Sequence, residues 1–279
     1  MEAPELSEPS NQMQLKDLIN KFWKKVKENL LLWGINVTLL TSSVYMEVFA
    51  QAATRPFSVH DIAISYPFVI NEKYDNLNLV IISALLPLIV MTTLILVDQV
   101  KGNKVKRFYH TVSLFIFCMS INGFLTTFTK IRLAKLRPDF LARCGPLLKK
   151  DEMKTGILYG DEICSAPFGE FILKDGYKSC PSGHSSVSMC GMLFLSIWLY
   201  HSYGKKLKND NNKNLIIKFL CFAPILIAID VITSRIYDFK HSYNDVICGT
   251  IVGILSVVIP VHYYNLKDLE GEEEIILPI

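Results

Sequence analysis

Net charge of either sign is scarce in this chain. Its 29 Lys and Arg are nearly matched by 26 Asp and Glu, leaving +3 over 279 residues. No nucleic-acid partner is expected. Histidine is sparse too: the six residues are scattered without a zinc-like pair, and the seven cysteines fit no zinc spacing. No metal site and no cofactor are expected. No segment repeats, and no cleavable signal peptide is evident. The first apolar run begins near residue 30, behind the Lys-rich lead LKDLINKFWKKVKEN, and is too long for a signal core.

What the chain does have is apolar length. It is 51% hydrophobic, and six runs approach 20 residues: Leu30–Ala50, Leu79–Val97, Thr111–Thr129, Ser186–Tyr203, Asn214–Thr233 and Val246–Tyr264. Each reaches across about 30 Å of hydrocarbon as a helix. The fifth carries Lys218 and Asp230 near its ends and is the weakest. The expected fold is all-α, a polytopic membrane protein with six transmembrane helices. It divides into an amphipathic cytoplasmic lead (1–29), a six-span domain (30–265) with a long loop at about 130–184, and an acidic cytoplasmic tail (266–279).

Loop charges orient it. Lys16, Lys21, Lys24, Lys25 and Lys27 in the lead share one side with Lys101, Lys104, Lys106 and Arg107 and with Lys205, Lys206, Lys208 and Lys213. By the positive-inside rule that side is cytoplasmic. The loop 130–184 is also basic, but its length weakens its vote. It then faces the lumen or the cell exterior, an oxidising location in which Cys144 and Cys164 are a candidate disulfide. Cys118, Cys190, Cys221 and Cys248 fall within spans and read as small apolar residues.

Three polar islands face that exoplasmic side. In KIRLAKLRP, Lys130 and Arg137 are seven apart, close to two helical turns, and Pro138 is the expected helix stop. Taken alone, this is a basic collar at the membrane surface. In CPSGHSS, a tight turn opens a helix whose first N–H groups favour an anion. Ser182 offers a hydroxyl, Gly183 lets an oxygen come close, and His184 is titratable; a plain helix cap explains the serines but not the histidine. In SRIYDFKHSYND, His241 and Asp245 share a helix face, so the carboxylate is placed to fix one ring nitrogen. Arg235 stands six residues before His241. Asp230 either supports Arg235 or is an interfacial charge.

Lys-x6-Arg-Pro, Pro-Ser-Gly-His and Ser-Arg-x5-His-x3-Asp, in that order, are the signature of the type-2 phosphatidic acid phosphatases. The chain resembles these lipid phosphate phosphatases, whose site is similar to that of vanadium-dependent haloperoxidases. RPFSVHDIAISYPF and RPDFLARC look like the fungal diacylglycerol pyrophosphate and lipid phosphate phosphatase branch, although HSYND departs from the His-rich form of that branch. The resemblance covers Arg55 to the end of the sixth span and implies a catalytic site built from exoplasmic helix ends and loops. It implies that Lys130, Arg137, Arg235, Ser182 and Gly183 hold the phosphate of a lipid substrate. His241 attacks phosphorus, Asp245 fixes its tautomer, and His184 protonates the leaving alkoxide and then activates water. Rival phosphatase designs lack their residues here: there is no Cys-x5-Arg and no Asp-x-Asp. Two other classes remain, a catalytically dead lipid-binding scaffold, which expects a missing motif residue, and a transporter, which expects charges along a midplane path. Substrate choice among glycerolipid, isoprenoid and sphingoid phosphates is not readable, nor is the oligomeric state.

Overall fold

The computed structural model describes residues 11–97, 103–147, 163–205, 207 and 212–263. The acidic tail, the middle of the long loop, and Lys101, Lys206 and Lys208 lie outside the described residues. Helices make up most of those described, with no strand among them. α1 (Asn11–Glu28) is the Lys-rich lead. α2 (Leu30–Phe49), α3 (Asn76–Val97), α4 (Lys104–Leu133), a broken helix of α8 (Asn212–Leu220) and α9 (Ala223–Tyr237), and α10 (Tyr243–Tyr263) are long and apolar enough to cross a membrane. Two short helices, α5 (Phe140–Cys144) and α6 (Glu170–Asp175), sit between α4 and α7 (Gly183–Leu199).

Among the described residues five helices meet that length and apolarity, against the six spans expected. The expected fourth span, Ser186–Tyr203, falls on α7, which has 17 α-helical residues before it widens into a π turn at Tyr200–Gly204. Position explains its composition. α7 is the central helix, packed by α4, α9 and α10, so its surface meets protein rather than lipid and tolerates the buried Ser185, Ser186, Ser188 and Ser196. By contrast α2 buries only Asn36 and shows its apolar side chains outward, as a lipid-facing helix must. The break between α8 and α9 falls just before Pro224, which has no N–H to donate.

The main core lies where α3, α4, α7 and α10 meet, around Met91, Phe115, Cys190, Phe194, Trp198 and Val257. α10 approaches α7 closely because Gly249 and Gly253, one turn apart, have no side chain. A Cβ on Gly249 would collide with the Ser182 carbonyl oxygen, and one on Gly253 would lie 2.5 Å from that of Ser186. A second, smaller core caps one end of the bundle. There Phe140 packs edge-on against Phe57 and Tyr177, with ring centroids 5.0 and 4.9 Å away. Cys144 and Cys164 are disulfide-bonded beside it. This cap fixes the chain on both sides of the site.

Candidate active site

Successive helices run up and down, so the C-terminal ends of α4 and α9 meet the N-terminal ends of α7 and α10. Each polar island sits at one of these ends. α4 has 30 residues, about 45 Å of helix, enough to carry Lys130 past the hydrocarbon. It stops at Leu133, earlier than Pro138: Ala134 turns left-handed at φ 46° and its N–H closes onto the Lys130 carbonyl. Lys130 and Arg137 therefore do not share a helix face, as the spacing had suggested. They approach the site separately.

The Lys130 ammonium lies against Gly183, 3.2 Å from where a Cβ would stand, so a larger residue there would press on it. Arg137 folds back beneath it. Its Nη1 donates to His241 Nε2 at 3.1 Å and to the Lys240 carbonyl at 3.2 Å, while Nη2 donates to Asp175 Oδ1 at 2.9 Å. Because a guanidinium only donates, His241 Nε2 carries the lone pair. Burial lowers the His241 pKa well below the usual histidine range, and Arg137 and Lys130 push the same way. The ring is neutral, with its lone pair on the cationic side of the site. Neutral imidazole is the nucleophilic form of the ring, and here its lone pair is engaged by Arg137.

Asp245 does not hold that ring. Its Oδ2 accepts from Ser179 Oγ (2.7 Å) and from the Ser242 N–H and Oγ (both 2.8 Å), and its Oδ1 accepts from Lys135 Nζ (2.7 Å). The helix spacing placed His241 and Asp245 on one face, but α10 starts only at Tyr243, so His241 lies outside it. Asp245 instead clamps Ser179 and Ser242. Nδ1 of His241 is buried without a hydrogen bond.

Ser182 is the N-cap of α7. Its hydroxyl accepts from the Ser185 N–H at 3.4 Å and its own N–H donates to the Asp245 carbonyl, so the helix-cap reading of its oxygen is the one seen. Gly183 and His184 supply the first two helical N–H groups, which have no intrahelical acceptor. His184 Nε2 is 3.1 Å from the Tyr74 carbonyl, to which it donates. Lys130 against Gly183 joins the first island to the second, and Arg137 on His241 joins the first to the third.

Arg235 is 1% exposed. Its Nε donates to Ser234 Oγ (3.0 Å), its Nη2 to Asp238 Oδ2 (2.9 Å) and its Nη1 to Glu72 Oε2 (2.6 Å). Asp230 is not its partner; that carboxylate takes Lys73 Nζ and the Tyr74 hydroxyl. Sequence spacing missed a whole supporting network. Asp175 bridges Arg137 and Arg143, Arg143 forks onto Asp139, and Lys240 lies 3.6 Å from Asp139 and 3.4 Å from Glu72. Burial opposes ionisation of Asp175, yet Arg137 and Arg143 outweigh it and hold the carboxyl well below its usual range. The network pairs the cations Arg137, Arg143, Arg235 and Lys240 with the carboxylates Glu72, Asp139, Asp175 and Asp238. Lys130 beside the open N–H groups of the α7 N-terminus suits an anion.

Residues 111–268 match the family model described as the PAP2 superfamily. The chain belongs to the PAP2 superfamily. The match begins in α4 and takes in all three islands, while the segment holding Glu72 precedes it. Among similar PAP2 proteins, a probable diacylglycerol pyrophosphate phosphatase 1 of Schizosaccharomyces pombe is 31% identical over 84% of this chain and 79% of its own length. Diacylglycerol pyrophosphate phosphatase 1 of Saccharomyces cerevisiae is 31% identical over 79% and 73%. Lipid phosphate phosphatase 1 of the same yeast is 32% identical over 72% and 75%. No solved structure matches the chain.

Proposed function

We propose that this PAP2 protein is an integral-membrane phosphatase that hydrolyses phosphate monoesters of lipids, and the pyrophosphate of diacylglycerol pyrophosphate, through a phosphohistidine. The observation that carries this reading is the neutral His241 ring with its Nε2 lone pair turned to Arg137. A phosphoryl group seated on Arg137, Lys130, Arg235 and the N–H groups of Gly183 and His184 brings phosphorus in line with that nitrogen. His241 displaces the lipid alkoxide, His184 supplies the proton that the alkoxide takes, and His184 then accepts one from the water that cleaves the phosphohistidine. Asp245 acts as a positioning residue through Ser179 and Ser242.

α7 serves as the sixth span, which puts both termini in the cytoplasm and the site on the lumenal or extracellular face of an internal or plasma membrane. Protein cations carry the phosphate, so turnover needs no divalent metal; among the described residues no three His, Cys, Asp or Glu side chains gather as ligands. The relatives named for diacylglycerol pyrophosphate and lipid phosphates favour these over isoprenoid or sphingoid phosphates. The test is phosphate release by purified protein from a panel of such lipids with chelator present throughout. Release from the glycerolipid members, blocked by vanadate, is expected. Activity that chelator removes and magnesium restores would overturn the metal-free mechanism.

A further inference from the structure

Residues 66–75 lead into α3 without regular helix or strand and lie across all three islands. The Tyr66 N–H donates to the Pro138 carbonyl at 3.0 Å, and the Tyr66 ring stacks on Phe239 at 5.0 Å. Farther along, the Lys73 N–H donates to Asp238 and the Tyr74 carbonyl takes His184 Nε2. Between them stands Glu72, with Oε2 2.6 Å from Arg235 Nη1 and Oε1 3.4 Å from Lys240 Nζ.

The allocation of donors on Arg235 sets Glu72 apart. Nε and Nη2 serve Ser234 and Asp238, neighbours in its own turn; Nη1 alone reaches a residue 163 positions away. The guanidinium is fully buried, whereas the Glu72 side chain keeps 28% of its exposure, so the carboxylate is the partner with room to leave. Carboxylate and phosphate take the same charge-assisted contacts from a guanidinium. We infer that Glu72 is a displaceable plug, a carboxylate held by the 66–75 strap in the seat that a substrate phosphoryl group takes on Arg235. Resting on the phosphatase reading above, this makes Glu72 a specificity residue: an anion enters only by outbidding a carboxylate, which favours a dianionic phosphoryl group over singly charged headgroups.

A carboxylate that merely orients Arg235 makes the opposite prediction, so the sign of one measurement decides. Equilibrium binding of inorganic phosphate and of vanadate to the full-length protein in detergent is compared between the parent and Glu72→Gln, together with KM and kcat on a lipid phosphate. Affinity for both anions should rise about tenfold in the variant, the scale of one charge-assisted hydrogen bond, and KM should fall with it. Weaker binding would make Glu72 an orienter of Arg235, and unchanged binding would place it outside the phosphate seat; either sinks the plug. Glu72→Asp, which keeps the charge but withdraws it from Arg235, should shift affinity the same way and serves if the Gln variant does not fold. Since binding is read without turnover, tighter anion binding in a protein that hydrolyses no lipid phosphate would preserve the plug and overturn the function.

Discussion

His241 and His184 face different partners. Nε2 of His241 accepts from Arg137, while Nε2 of His184 donates to Tyr74. The Nε2 lone pair suits His241 to the proposed role of nucleophile, while His184, once it is imidazolium beside a bound phosphate, is the proposed acid. His241→Ala removes the attacking atom, so no phosphoenzyme should form with any substrate. His184→Ala removes only the proton donor. On a lipid phosphate, whose alkoxide leaves poorly, the loss should be about 10²–10⁴-fold. On an aryl phosphate the first step should survive and the second, which needs an activated water, should stall. Rapid-quench labelling of the His184 variant should therefore show an acid-labile phosphoenzyme burst that the His241 variant lacks. A burst in the His241 variant, or label on His184, would exchange or remove these assignments.

Among the elements, the contact of α10 with α7 is the one that sets the site. His241 and Ser242 enter α10, Ser182 and Gly183 open α7, and Asp245 of α10 bonds across to Ser179 and, through its carbonyl, to the Ser182 N–H. The approach rests on Gly249 and Gly253 against backbone carbonyls, which cannot rotate aside as a long side chain would. Gly253→Ala should force the helices apart, at a cost of about 1–3 kcal/mol. Thermal unfolding in detergent should show the lower midpoint. Turnover should fall beyond what the unfolded fraction explains, because His241 and the α7 N-terminus move relative to each other. Normal turnover in a folded Gly253→Ala protein would show that the site tolerates looser packing.

At the scale of the whole molecule, up-and-down helices leave both the site and the disulfide-linked cap at one end, and the Lys205 turn follows α7 at the other. Orientation then follows from which end faces the cytoplasm. Phe171, 79% exposed beside α6, and the exposed Lys205 are positions for introduced cysteines. In sealed right-side-out vesicles an impermeant thiol reagent should modify Phe171→Cys and spare Lys205→Cys until the membrane is permeabilised. Equal labelling of both from one side would remove α7 as a span.

Much of this was legible from residue order alone. Apolar run length sets a helical membrane architecture, since only self-satisfied backbone crosses hydrocarbon, and the spacing of Lys130, Arg137, His184, Arg235 and His241 marks the residues proposed to carry the chemistry. Local spacing could not say that α4 turns aside at Ala134, or that Asp245 serves Ser179 and Ser242 rather than the His241 ring. Periodicity assumes that a helix continues, and tertiary contacts decide where it ends. Nor could it pair Glu72 with Arg235, Asp175 with Arg137 or Asp139 with Lys240, separated by 163, 38 and 101 positions. The sequence determined which charges exist and near which helix ends they fall. Only the packing of α4, α7, α9 and α10 decided which of them meet, because buried charges must find partners, and those partners lie wherever the fold brings distant segments together.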